Sequence, residues 1–83
     1  MLIQKVALIM DVIDEDPELT RLSDEEGSSK AKSFRQRVRH IRTLALQGDE
    51  SAVLNELEDL LGQCRGPLDR WREEVTRALA DLR

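Results

Sequence analysis

One cysteine, two prolines, one histidine and two aromatic residues among 83 leave little of what a disulfide scaffold, a β-sheet or a catalytic centre is built from. With Cys64 alone, no internal disulfide can form and no zinc-ligand spacing exists, so a reducing compartment is expected and the cytoplasm is the simplest assignment. Phe34 and Trp71 are the whole aromatic complement, which disfavours strands. The most apolar stretch, residues 2–13, is interrupted by Lys5 and Asp11. It falls short of the roughly 20 apolar residues of a membrane-spanning helix and lacks the form of a signal peptide.

Chemistry is equally sparse. There is no glycine-rich phosphate loop and no nucleophile with a base at useful spacing. The acids Asp14, Glu15, Asp16 and Glu18 lack the alternating ligands and fixed glycine of a calcium loop. His40, set among arginines, reads as part of a cationic surface, and Cys64 reads as a small core residue. No catalytic residue, metal or cofactor is expected, and the chain is read as no enzyme.

What the chain does have is charge and helix formers. Charged residues make up 36% of it, and the net charge of −4 conceals a segregation. Residues 11–26 carry eight acids against Arg21, whereas residues 30–42 carry six cations and no acid. A chain of this size forms one domain, residues 1–83, with a thin core. The expected fold class is all-α: a small antiparallel bundle of about four helices, with a helical hairpin over residues 30–64 and a helix at each end.

The basic helix, residues 30–47, is the centre of the pattern. Ala31, Phe34, Val38, Ile41 and Ala45 recur at spacings of three and four and form one inward stripe. Lys32, Arg35, Arg39 and Arg42 form a second stripe beside it, and Lys30, Arg37 and His40 flank the other side. Without acids on the same helix, these cations must find partners elsewhere.

Before it, residues 1–22 read as an apolar first helix and a short second helical turn. Val6, Ile9 and Ile13 share one line, Ile3, Ala7 and Met10 lie beside it, and Leu8 and Val12 fall on the far side. A helix apolar nearly all round is buried or shared with another chain, and its β-branched residues leave an edge strand as an alternative. Asp16 and Pro17 restart the helix. Residues 23–29, which hold no large apolar side chain, read as an acidic, Gly/Ser-containing loop, with Ser28 or Ser29 capping the basic helix.

Gly48 ends that helix and Asp49 caps an acidic amphipathic one, residues 49–64, whose inward line is Val53, Leu57, Leu60 and Cys64. Gly66 and Pro67 introduce a last helix, residues 67–82, with Leu68, Trp71, Val75, Ala78 and Leu82 at heptad-like spacing.

Three uses of the basic stripe follow: pairing with acids of the same domain or dimer, docking of an acidic or amphipathic protein, or contact with a phosphate backbone. Binding of a partner or phosphate is assigned to Lys32, Arg35, Arg39 and Arg42. Oligomerisation, expected as a dimer, is assigned to Val6, Ile9 and Ile13 of the first helix and to Leu68, Trp71, Val75 and Leu82 of the last. The expected function is a non-catalytic protein–protein interaction module acting as an adaptor, regulator or assembly factor. The alternative is a nucleic-acid-binding regulator contacting phosphates through residues 30–42. No membrane contact is expected.

Overall fold

A computed structural model describes residues 2–83; Met1 and the Leu2 side chain lie outside the described residues. The chain is all-α, with five α-helices and no strand among the described residues. Residues 2–13 are helical throughout, because α1 (Leu2–Asp14) buries Ile3, Val6, Ala7, Met10 and Ile13 along one face. Spacings of three and four align these side chains only in a helix, and this outweighs the β-branched content.

Asp16 ends the connection to α2 (Pro17–Thr20), its Oδ1 accepting the Glu18 amide at 2.9 Å. Here the structure departs from the expected loop over residues 23–29. Helical geometry continues as a π turn over Arg21–Glu25 that buries Leu22 and Ser23. No apolar pattern announces it beyond Leu22, since Ser23 is buried as a hydrogen-bonding group rather than as a hydrophobe. Gly27 then takes a left-handed φ of +65°, a conformation costly for residues with a Cβ. The chain turns there, and the Ser28 amide donates to the Leu22 carbonyl at 3.0 Å.

Ser28 Oγ accepts the Ala31 amide at 3.2 Å and so caps α3 (Ser29–Leu46). Gly48, at φ +79°, reverses the chain, and Asp49 Oδ1 accepts the Ala52 amide at 3.2 Å to start α4 (Glu50–Gln63). The segment after Pro67 begins as a 3-10 turn, Gly66–Trp71, and becomes α5 (Arg72–Leu82) only afterwards. The expected helix from residue 67 is thus tighter in its first turns.

α1 packs on α3 and α5, α3 on α4, and α4 on α5, within an envelope of 36 × 19 × 16 Å. One core runs through all of these contacts. Phe34 lies in it fully buried, its ring centroid 5.6 Å from that of Trp71 at an interplanar angle of 32°. The Trp71 indole N–H donates to Asp16 Oδ2 at 2.9 Å. One carboxylate therefore caps α2 and satisfies the polar edge of the core's largest ring.

The residues expected at an oligomer interface are used inside the chain. Val6, Ile13, Leu68, Trp71 and Val75 are buried, and Ile9 and Leu82 are half-buried against the same core. The partner surface their apolar character called for is supplied by the chain's own helices.

Truncating the central ring should cost most. Phe34→Ala is expected to lower unfolding free energy by about 3–5 kcal/mol in urea denaturation. Leu8→Ala, on the exposed face of α1, should change it by less than about 0.5 kcal/mol.

Candidate functional site

The two charge blocks of the sequence meet across the contact between α1 and α3. Arg35 Nε and Arg39 Nε both donate to Asp14 Oδ1 at 3.0 Å, and Arg42 pairs with Asp11 one turn further along. Asp14 lies near the start of α3's arginine series and Asp11 near its end, so the two helices run antiparallel. Position 14 is also the last residue of α1, where the exposed carbonyls of the helix end favour nearby cations.

Arg35 is the most enclosed member, 18% exposed in its side chain against 58% for Arg39 and 45% for Arg42. Its Nη1 donates to Ser23 Oγ at 3.3 Å and approaches Asp24 Oδ2 at 3.5 Å. Ser23, buried in the π turn, in turn reaches Asp24 Oδ1 at 3.1 Å. This cluster ties α1, the π turn and α3 together. The partial burial of Arg35 and Asp14 limits the solvent screening that makes exposed pairs weak.

The other flank of α3 is paired as well. Arg37 donates to Glu56 at 2.7 Å and to Gln63 at 2.9 Å, holding α3 against α4. Lys30, Lys32 and His40 stand exposed and enter none of the ion pairs among the described residues. Of the four residues assigned to partner or phosphate binding, Arg35, Arg39 and Arg42 hold α1 carboxylates, and Lys32 alone faces solvent unpaired. It borders an open depression with Ser23, Asp24 and Gln36.

The three large apolar side chains that stand exposed among the described residues are Leu8 (65%), Val12 (65%) and Leu46 (62%). Leu8 and Val12 lie one turn apart on the face of α1 opposite its buried stripe. Leu46 follows Arg42 by one turn on the α1-facing flank of α3, and the Arg42–Asp11 register carries it alongside residues 7 and 8. Leu8 and Val12 are legible in the sequence as the far side of the first helix. Leu46 is not, because its neighbourhood is set by the register of α3 on α1.

The cleft between the start of α3 and the end of α4, about 350 Å³, has Lys30 and Arg65 as its charged lining residues and holds no acid, histidine or cysteine. Among the described residues, no group of three or more His, Cys, Asp or Glu could hold a metal ion, and no helix is long and apolar enough to cross a membrane. Cys64 is buried, its thiol donating to the Leu60 carbonyl at 3.5 Å. Burial pushes the thiol up from 9.0 to about 11; the Arg72 charge opposes this, while Asp69 and Glu74 add to it. The sulfur is therefore held as a thiol, a weak nucleophile at neutral pH.

Two outcomes follow. Asp14→Asn, which keeps the shape and removes the charge, should cost about 1–2 kcal/mol in urea denaturation, and Asp11→Asn, whose pair is more exposed, less than about 0.5 kcal/mol. For Cys64 the folded pKa lies above the unfolded one, so the unfolded chain ionises first. Its contribution to stability is constant at neutral pH and falls as pH rises from 9.0 towards about 11. A Cys64→Ala variant should lack that alkaline component in pH-dependent melts, and a thiol reagent at pH 8 should label the native chain only on the timescale of unfolding.

No family model, curated protein or solved structure matches the chain, so the functional reading rests on this geometry.

Proposed function

We propose that the chain is a non-catalytic protein–protein interaction module, an adaptor, regulator or assembly factor, built as a small antiparallel bundle of four main helices. The observation that carries this reading is the exposure of Leu8, Val12 and Leu46, the large apolar residues that stand open among the described residues: Leu8 and Val12 lie one turn apart on the outer face of α1, and the Arg42–Asp11 pair sets the register that brings Leu46 towards them. Single exposed apolar residues are ordinary on a protein surface; a cluster on one edge is what a docking surface presents. Beside it lie the paired charges of Asp11, Asp14, Arg39 and Arg42, a polar rim that suits specificity more than affinity.

The internal pairing of the basic stripe supports this over the nucleic-acid alternative. Arg35, Arg39 and Arg42 would have to leave the α1 carboxylates to contact a phosphate backbone, and the acids beside them repel one. Cys64, a thiol buried with no cysteine to pair with, fits the reducing environment of the cytoplasm.

Affinity capture with the wild-type chain and with Leu8→Glu/Val12→Glu decides the matter, both proteins being checked for native helicity. Specific protein partners should be retained by the first and lost by the second. Identical capture by both overturns the reading. So does oligonucleotide binding at near-physiological salt that survives in the double variant and vanishes when Arg35, Arg39 and Arg42 become alanine, measured by fluorescence anisotropy.

A further inference from the structure

The outer face of α1, continued by Glu15 just past its end, where the Glu15 amide still donates to the Asp11 carbonyl at 2.9 Å, reads 5, 8, 12, 15, that is Lys5, Leu8, Val12 and Glu15. The intervals of three, four and three are those of the seam of a coiled coil. All four side chains stand exposed, and Lys5 and Glu15 enter none of the ion pairs among the described residues, whose α1 acids are Asp11 and Asp14. The face thus has an apolar centre, a free cation at one end and a free anion at the other.

Such a face is complementary to itself in one orientation. Laid antiparallel on a second copy about a twofold axis, residue i faces residue 20 − i of the other chain. Leu8 then meets Val12 of the second copy, Val12 meets its Leu8, and Lys5 meets its Glu15 at both ends. A parallel pairing would set Lys5 on Lys5 and Glu15 on Glu15, which like-charge repulsion disfavours. A one-turn shift in either direction would place a charge against the apolar centre.

We infer that a second copy of this chain docks antiparallel on the Lys5–Leu8–Val12–Glu15 face of α1, forming a twofold-symmetric homodimer. The inference rests on the interaction-module reading and names the partner for its exposed edge. Leu46, exposed on the flank of α3 and brought towards residues 7 and 8 by the Arg42–Asp11 pair, widens the apolar centre on each copy. Asp11–Arg42 closes the rim with a pair already neutralised within its own chain. Symmetry of this kind needs no more than one self-complementary patch. The patch is small, α1 being about 20 Å long, so association is expected in the micromolar range rather than the nanomolar.

Sedimentation equilibrium over a series from about 5 to 500 µM tests it, a range suited to a small interface. The wild-type chain should pass from monomer to dimer across that series. Leu8→Glu/Val12→Glu should weaken association by at least about 100-fold with the helical circular dichroism unchanged, since both side chains face solvent in the monomer. Lys5→Glu, which sets two acids together at each end, should weaken it about tenfold, and Lys5→Glu/Glu15→Lys should return it to within about threefold of wild type.

A wild-type chain that stays monomeric throughout overturns the homodimer. A dimer indifferent to Leu8→Glu/Val12→Glu overturns the assigned face, and a charge-swapped double variant no better than Lys5→Glu overturns the antiparallel register. A monomer that nevertheless loses captured proteins through Leu8→Glu/Val12→Glu removes the homodimer while leaving the interaction module in place.

Discussion

The packing of α1 on α3 is the contact on which most else in the molecule depends. Both helices bury their apolar stripes in the same core, and that burial supplies the free energy. Burial alone is non-directional, and stripes of Val, Ile, Met and Ala tolerate sliding. Direction and register come from Asp14, whose single oxygen is shared by Arg35 and Arg39, and from Asp11 on Arg42. A slip of one turn would leave the half-buried Arg35 without its carboxylate, and an unpaired, partly desolvated guanidinium is costly.

Once that register is set, other features fall into place. Ser23 is carried into the interior by the π turn and meets Arg35 there, so a serine takes a core position by hydrogen bonding. Asp16 similarly serves two elements, the start of α2 and the indole of Trp71. The surface left over is correspondingly simple. The arginines that give α3 its cationic character are partly consumed, and the outer face of α1 remains apolar at its centre with opposite charges at its ends.

Much of this was legible in the chain itself. Ala31, Phe34, Val38, Ile41 and Ala45 repeat at helical spacing and are the buried stripe of α3. Gly48 and Asp49 mark the reversal into α4, and Asp16 with Pro17 marks the start of α2, because caps and left-handed turns depend on the residues that make them. The π turn was illegible beyond Leu22 because the residue it buries next, Ser23, is polar. The assignment of Val6, Ile13, Trp71 and Val75 to an intermolecular surface shows a related limit. Apolar periodicity reports that a face is covered, while the identity of what covers it depends on how the chain's own helices meet.

The sequence by itself determined the helical class, the positions of the caps and turns, the inward stripes, and the separation of acids from bases, since each of these is set by neighbours within a few residues. Only the tertiary structure decided that Arg35, Arg39 and Arg42 of α3 pair with the acids of α1, and that Leu8, Val12 and Leu46 stay exposed while the other large apolar residues are covered. Those outcomes rest on the antiparallel register of two helices separated by α2, a π turn, a glycine and a serine cap. Charge composition and periodicity describe each helix alone, and neither specifies which residues of two helices stand opposite one another.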